Sequence, residues 1–224
     1  MRSALEFLET EQCRYLEGLP LVHIEKIADG DPMPFTPRPK TPLGGVRALG
    51  FSHVIAGPGL GRALAYHGAD VLNLWTPNDF EMDFNYYSAH VGMRSAIMDF
   101  GRPDEMARFR RLVARADIFF ANRRPGLREK LGITSSELAR LRPGIVQVDF
   151  SIYGAGGPWA DRIGFDHTAG GVSGVLALEG SLDEPKLPEI FVVNDFVSSW
   201  IGMVGAIAAL RRRALEGCSY RCDW

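Results

Sequence analysis

The stretch VRALGFSHVIAGPGLGRALAYHGADVLNLW, residues 46–75, decides the fold. It begins with an apolar strand-like run at 46–51, passes through a glycine cluster into a helical stretch at 61–67, and ends in a second strand-like run at 70–75. Two strands joined by a crossover helix form a βαβ unit, and such units build parallel sheets. The stretch therefore predicts an α/β fold.

The same alternation continues along the chain. Further β-rich runs lie at 95–100, 117–121, 145–150 and 189–193, and helical stretches cover 104–116, 137–141, 166–178 and 196–216. Because crossovers of this kind are right-handed, we expect a mainly parallel sheet flanked by helices. The most apolar part of the last helix, 200–210, is shorter than the ~20 residues that span a bilayer. It predicts a buried helix and no membrane association.

The composition is that of a globular protein. The chain has 224 residues, of which 46% are hydrophobic and 23% charged, with a formal net charge of −2. These values exclude a disordered chain, a collagen-like fibre and a disulfide-dense miniprotein, and they provide no basic field for nucleic acid. The three cysteines, Cys13, Cys218 and Cys222, form no metal-like set, which predicts a reducing cytoplasm and no bound metal.

Residues 1–42 differ from the rest of the chain. They contain apolar residues at helical spacing (3–16), a short strand-like run (19–27) and a proline-rich connector (29–42). The acidic residues near the N-terminus are not typical of a secretory signal peptide. This pattern predicts an N-terminal arm or inter-domain linker over 1–42, followed by one domain over 43–224.

Two turns that follow strands are candidate ligand sites, because open α/β sheets bind ligands at the carboxyl ends of their strands. The cluster at 56–61 lacks the third glycine of a dinucleotide fingerprint, which is Arg62 here, and this disfavours NAD. Anion binding and a simple tight turn both remain open for it. The second turn, Asn122-Arg123-Arg124, is either a phosphate receptor or a solvated turn.

Two aspartates stand at the starts of predicted helices. Asp195 lies between an apolar strand-like run and an apolar helix, and Asp166 lies between Phe165 and His167. Each is either a helix cap or, for Asp195, a nucleophile held at a helix N-terminus. The other histidines are dispersed and predict no metal site.

Five motifs in fixed order carry a family resemblance. They are PLGGVRALGFSHVIAGPGLGRALAYHGADVLNLW (42–75), MRSAIMDF (93–100), ADIFFANRRPGLREKLGI (116–133), RLRPGIVQVDFSIYGAGGPWADRIGFDHTAGGVSGVL (140–176) and the region of Asp195. From Pro42 onward the chain resembles the family III CoA-transferases, which include formyl-CoA and carnitine CoA-transferases and are related to α-methylacyl-CoA racemase. The resemblance implies a Rossmann-like CoA-binding domain and an interlocked homodimer.

The resemblance also implies the site. Asp195 matches the family's catalytic aspartate, and coenzyme A or acyl-CoA is expected as a substrate rather than as a permanently bound cofactor. The positions that match CoA-contacting segments are His53, Val54, Ile55, Ala56, Met98, Asp99, Asn122, Arg123, Arg124, Lys130, Phe165 and Asp166. Two departures are Thr76, where some members have a basic residue, and Ile55, where formyl-CoA transferase has a glutamine.

The implied reaction moves CoA from an acyl-CoA to a carboxylic acid through an aspartyl anhydride and an aspartyl-CoA thioester. Burial of Asp195 beside Phe191, Val193 and Phe196 is expected to exclude water. A racemase is the first alternative, although its Gly-His-Asp triplet is Gly164-Phe165-Asp166 here and only His167 could replace the histidine. The second alternative is a CoA-binding half without turnover.

The chain is shorter than the family pattern. Family members are about twice as long, and their small domain and a glycine-rich loop lie beyond the matched region. We therefore expect a truncated chain or one half of a longer enzyme, inactive by itself. Its expected partners are an acyl-CoA, a carboxylic acid, and a second copy or a separate second half.

Overall fold

The computed structural model describes residues 1–190 and 192–224. Its strands form one seven-stranded sheet. They are β1 His23–Ala28, β2 Arg47–Phe51, β3 Asp70–Trp75, β4 Arg94–Ile97, β5 Ile118–Ala121, β6 Val146–Asp149 and β7 Ser219–Asp223. The inner strands are apolar because both of their faces are covered, and β5 is buried at every position.

The strand order is β1-β7-β6-β5-β2-β3-β4. All neighbouring strands pair in parallel except β1, which runs antiparallel to β7. From β2 the chain first moves outward to β3 and β4, and then crosses back to β5, β6 and β7. This is the Rossmann order, in which the direction of winding reverses between β2 and β5. The predicted α/β fold with a mainly parallel sheet is confirmed.

Helices cover both faces of the sheet. They are α1 Ala4–Leu8, α2 Glu11–Glu17, α3 Ala56–Tyr66, α4 Asp83–Ala89, α5 Pro103–Val113, α6 Leu127–Lys130, α7 Ser135–Leu141, α8 Asp166–Ser173, α9 Val175–Glu179 and α10 Val193–Glu216. One core joins the sheet to α3 and α10 through Leu60, Leu64 and Leu210, all fully buried. The core on the opposite face contains Phe109 from α5 and Leu138 from α7.

The glycine cluster lies inside a helix rather than in a loop. Helix α3 begins at Ala56, so Gly57 and Gly59 occupy its first turn and are buried. A Cβ on Gly57 would lie 2.6 Å from the Ser52 Cβ, and one on Gly59 would meet the Ser199 hydroxyl on α10. The glycines therefore permit close packing of α3 against its neighbours. A simple tight turn, one of the two interpretations left open above, therefore does not describe these residues, whereas anion binding at the start of α3 stays a prediction.

Two predicted elements near the end of the chain need correction. The strand expected at 189–193 is absent from its described residues, since Glu189 and Ile190 are bends and Val193 begins α10; Phe191 lies outside the described residues. The helix expected at 166–178 is divided into α8 and α9 by Gly174, whose φ of 91° is left-handed and ends α8.

The last helix is only partly buried. Its inner face, including Ala206 and Leu210, packs on the sheet, whereas Trp200 is 59% exposed and Val204 57% exposed. The prediction of a buried helix is therefore wrong for its outer face. By length and composition α10 could cross a membrane, and 33% of its most apolar window is buried, but core helices of globular proteins pass the same test.

The N-terminal 42 residues do more than connect. Strand β1 pairs with β7 at the edge of the sheet, from His23 opposite Asp223 to Ala28 opposite Ser219. Helices α1 and α2 pack on the glycine-rich loop after β6, where the side chain of Gln12 is 1% exposed. The segment predicted as an arm or linker is thus integrated with the described domain.

Gly57→Ala tests the close approach of α3. In an open helix this change is stabilising by about 1 kcal/mol, because alanine is the better helix former. Here we expect destabilisation of roughly 1–3 kcal/mol from overpacking against Ser52 and Asn122. Urea unfolding measures the change in the free energy of unfolding, and Tyr66→Ala on the exposed side of α3 is the control. A stabilised Gly57→Ala variant would contradict the packing argument.

Candidate active site

A cavity of about 810 Å³ opens at the carboxyl ends of the strands, where the strand order reverses. Its walls come from the loop after β2, the turn after β5, the glycine-rich loop after β6, and the starts of α8 and α10. This is where a Rossmann-type sheet binds its ligand. Ten predicted site residues line this cavity: His53, Val54, Ile55, Ala56, Asn122, Arg123, Arg124, Phe165, Asp166 and Asp195.

Two asparagine amides hold the loop after β2. The side chain of Asn73 accepts hydrogen bonds from the Ser52 backbone N–H (3.2 Å) and hydroxyl (2.8 Å) and donates to the Ser52 carbonyl (3.0 Å). Asn122 does the same for the next residue, accepting from the His53 N–H (3.0 Å) and donating to its carbonyl (2.7 Å). Asn122 therefore fixes the loop through its side chain, and it is also one of the residues that line the cavity.

The loop then passes through a strained residue. Val54 has a φ of 62°, a left-handed value that is unusual for a β-branched side chain. Its N–H donates to Glu81 Oε2 (2.6 Å), which holds this conformation. Strained backbone of this kind clusters at functional sites. Beside it, burial and then the charge of Arg123 lower the pKa of His53, which favours the neutral form of its ring.

The two arginines of the predicted phosphate turn differ in environment. Arg123 is 5% exposed, donates two hydrogen bonds to Asp79 (2.7 and 2.6 Å), and lies 4.2 Å from the centre of the Phe51 ring. Burial raises the pKa of Asp79, but hydrogen bonds from Arg123 and Thr76 outweigh burial and lower it. Arg124 is exposed at the cavity. The geometry thus favours a structural role for Arg123 and leaves Arg124 facing the ligand space.

Three predicted residues lie away from this cavity. Met98 is buried in the core beneath α5. Asp99 is exposed and accepts from the Gly101 N–H (3.0 Å), which shapes the turn before α5. Lys130 lines a second cavity of about 460 Å³ beside the start of α5, together with Phe100, Gly101, Arg102, Pro103, Met106, Arg110 and Leu131.

The opposite wall of the main cavity carries two aspartates. Asp195 is the third residue of α10, and Asp166 is the first residue of α8. Asp166 Oδ2 accepts the backbone N–H of Asp195 (3.0 Å), and its Oδ1 accepts from Asn194 Nδ2 (3.3 Å). The interpretation of Asp195 as the cap of its helix is wrong, since the capping position of α10 is Val192, which has no side-chain acceptor.

The carboxyl group of Asp195 has an unusual acidity. Burial, and then the negative charge of Asp166, raise its pKa from 3.8 to about 7. A strongly perturbed carboxyl in a cleft is typical of a functional site. In the described residues, no cluster of ligating side chains could hold a metal ion. The chemistry that the cavity offers is therefore that of a desolvated carboxylate acting as a nucleophile or as a base.

Two residues that the sequence did not predict, Gln12 and Asn73, also support the site. Gln12 on α2 donates to the carbonyls of Tyr153 (2.7 Å) and Gly156 (2.9 Å) and accepts from the Trp159 N–H (2.9 Å), so it clamps the glycine-rich loop. Asn73 was a polar residue inside an apolar strand, a pattern that could have identified it. Gln12 lies more than a hundred residues from its partners, and nothing local in the sequence indicated it.

Comparisons with known proteins agree with this architecture. Residues 43–223 match the model of CoA-transferase family III. A succinyl-CoA–L-malate CoA-transferase alpha subunit of Chloroflexus aurantiacus is 31% identical over 203 residues, covering 84% of this chain and 47% of the relative. A succinate–glutarate CoA-transferase of Agrobacterium fabrum is 33% identical over 199 residues, covering 80% of this chain and 49% of the relative.

A solved structure shares the fold. A CAIB/BAIF family protein of Brucella suis superposes with a TM-score of 0.74 at 26% identity, over 81% of this chain and 52% of that one. The Rossmann-type sheet and the cavity at its switch point place the chain among α/β ligand-binding proteins. It belongs to CoA-transferase family III. It spans about half the length of the curated relatives it matches.

Arg123→Ala and Arg124→Ala separate the two arginines. Removing Arg123 leaves the buried Asp79 carboxylate without its partner, so we expect a loss of roughly 3–5 kcal/mol in the free energy of unfolding. Arg124→Ala should change stability by less than about 0.5 kcal/mol, as surface substitutions do. Denaturant unfolding of both variants measures this. Equal stability of the two would refute the structural role of Arg123.

Gln12→Ala tests the clamp on the glycine-rich loop. The change leaves two carbonyls and one N–H of this loop without a protein partner, and we expect a loss of about 1–3 kcal/mol. Hydrogen exchange should also show faster exchange at the Trp159 N–H. Glu11→Ala, an exposed neighbour on α2, is the control. Unchanged protection of Trp159 would show that Gln12 does not hold the loop.

Proposed function

We propose that the chain is the CoA-binding, nucleophile-bearing part of an enzyme that moves CoA from an acyl-CoA to a carboxylic acid. The observation that carries the proposal is the partly buried Asp195 carboxyl, with a pKa raised to about 7 by burial and by Asp166, on the wall of the switch-point cavity. Membership of CoA-transferase family III supports the reaction class.

In the proposed first half-reaction, an Asp195 oxygen attacks the thioester carbonyl. The C–S bond breaks, a mixed aspartyl–acyl anhydride forms, and CoA leaves as its thiolate. The thiolate then attacks the aspartyl carbonyl of the anhydride, so the donor acid leaves as a carboxylate and Asp195 becomes a CoA thioester. A carboxylate suits this chemistry because it forms the anhydride and is regenerated at the end.

The second half-reaction runs the same steps in reverse with the acceptor. The acceptor carboxylate attacks the aspartyl-CoA thioester and releases the thiolate, which then attacks the acceptor carbonyl of the new anhydride. Acyl-CoA leaves and the Asp195 carboxylate is restored. Water would hydrolyse either intermediate, so burial of the reacting group favours transfer. Val193 and Phe196, predicted to shield the site, are both partly buried.

We propose that the phosphates of CoA lie near Arg124 and Lys130. Arg124 is exposed at the main cavity, and Lys130 lines the second cavity with Arg102 and Arg110. Cationic side chains on both cavities suit a long anionic ligand, and binding of the remote CoA tail offsets the cost of ordering the reacting groups.

We propose dicarboxylic acids as the acyl and acceptor groups. The names of relatives specify succinyl-CoA with L-malate and succinate with glutarate. The exposed Arg162 lies on the wall of the same cavity and offers a cationic partner for a second carboxylate, whereas Arg221 on that wall already lies 3.8 Å from Glu25 and 3.9 Å from Asp223. Such a pairing would distinguish a dicarboxylate from a monocarboxylate of equal length.

We propose further that the active unit contains more polypeptide than this chain. The relatives are about twice as long, and two Chloroflexus relatives are named as alpha and beta subunits. The exposed apolar face of α10, with Val197, Trp200 and Val204, is the kind of surface that associating proteins bury.

Asp195→Asn in the complete enzyme is the test. Asparagine cannot form the anhydride, so exchange of CoA between succinyl-CoA and an acceptor acid should fall at least 1,000-fold while CoA affinity stays within about twofold. In the unmodified enzyme, the rate should rise with pH through about 7 as Asp195 ionises. Full turnover of the asparagine variant would reject Asp195 as the nucleophile and favour a non-catalytic role.

A stability measurement on the same variant controls for misfolding. Folding raises the pKa of Asp195, so it favours the protonated form, and stability is lost as pH rises from 3.8 toward 7. Asp195→Asn removes this loss and should be more stable than the unmodified chain above pH 7, by roughly 2–4 kcal/mol, with little difference at acid pH. Asp183→Asn, in an exposed loop, should show no such pH-dependent gain.

A further inference from the structure

Helix α10 lacks a cap of its own. Its capping position is Val192, which has a φ of 52° and no side-chain oxygen, so the first N–H groups of the helix depend on another element. That element is α8. Its first residue, Asp166, is 5% exposed and accepts both the Asp195 N–H and the Asn194 amide.

We propose that Asp166 is the positioning residue of the nucleophile: its carboxylate caps α10 from the neighbouring helix, fixes the backbone of Asp195, and places a second negative charge beside the Asp195 carboxyl. This inference rests on the proposed function of Asp195. It gives Asp166 a role distinct from the CoA contact expected from the sequence, because both of its oxygens accept hydrogen bonds from α10.

Hydrogen bonds hold the backbone of Asp195 from two sides. Asp166 holds the Asp195 N–H, while the Ser199 hydroxyl lies 2.8 Å from both the Asp195 carbonyl and the Ala56 carbonyl, which ties this turn to α3. A nucleophile fixed in this way needs little reordering when the thioester arrives. Misplacement by about 1 Å costs on the order of 100-fold in rate.

The negative charge of Asp166 has a second effect, on the pKa of Asp195. The first turn of α3 has no ionisable side chain, while His53 before α3 and Asp166 on α8 line the same cavity as Asp195. Burial, and then the charge of Arg123, lower the pKa of His53, which favours its neutral form. Asp166 is the charge that raises the pKa of Asp195, after burial itself. A carboxylate beside this fixed charge is harder to ionise and more basic once ionised.

Two substitutions of Asp166 distinguish its role as the cap of α10 from the effect of its negative charge. Asp166→Asn keeps an oxygen that can accept the Asp195 N–H, since asparagine caps helices about as well as aspartate, but it removes the charge. We expect this variant to fold and turn over, with the midpoint of its pH–rate profile moved below that of the unmodified enzyme. Asp166→Ala removes both the hydrogen-bond acceptor and the charge. In this variant kcat should fall on the order of 100-fold, with KM for the acyl-CoA nearly unchanged.

A readout that needs no activity uses the 224-residue chain. Carbon-13 NMR of aspartate-labelled protein, with Asp195→Asn to identify the resonance, follows the Asp195 carboxyl directly. Its titration midpoint should fall in Asp166→Asn and stay in place in the control Asp183→Asn. If Asp166→Ala does not fold, Asp166→Asn still decides the question, since it retains the cap.

The outcomes are distinguishable. An unchanged Asp195 midpoint in Asp166→Asn, or an unchanged kcat in Asp166→Ala, would overturn the positioning role. A raised KM with unchanged kcat in Asp166→Ala would assign Asp166 to CoA binding instead. Full turnover of Asp195→Asn would overturn the proposed nucleophile, whereas the NMR titration would still test whether Asp166 holds a charge against its neighbour.

Discussion

The backbone N–H of Asp195 donates to the carboxylate of Asp166, and this contact joins the two helices that meet at the cavity. Without it, the first N–H groups of α10 would have no side-chain acceptor, because the capping position of this helix is Val192. The contact also sets two carboxyl groups side by side in a partly desolvated place, which a stable fold would normally avoid. The backbone position of Asp195 and the pKa of its carboxyl group thus both depend on Asp166.

The sheet brings the remaining groups to this place. Because the winding reverses between β2 and β5, the loops after these strands diverge and leave a crevice at their carboxyl ends. Asn73 and Asn122 hold the loop after β2, and the buried pair of Arg123 with Asp79 holds the turn after β5. These polar groups stabilise the cavity wall and leave the exposed Arg124 available to a ligand.

The sequence predicted more of the fold than of the site. The apolar runs of β2, β3, β5 and β6 are read directly from composition, since strands buried on both faces are nearly continuous hydrophobic runs. The run at 189–193 looked the same but leads into α10, because short apolar runs do not distinguish a strand from the start of a buried helix. The glycines of α3 suggested a loop, yet their reason is close packing with residues distant in sequence. The pairing of Asp166 with Asp195, and the clamp by Gln12, depend on contacts between separate elements that no local pattern encodes.

The central claim is that Asp195 becomes covalently attached during turnover, and trapping tests it most directly. The complete enzyme is incubated with succinyl-CoA and hydroxylamine, then digested and analysed by mass spectrometry. An aspartyl anhydride or thioester reacts with hydroxylamine to give a hydroxamate, and we predict this modification on the peptide that contains Asp195, dependent on acyl-CoA. A hydroxamate on the peptide containing Asp166, or none in an enzyme that is turning over, would contradict the account.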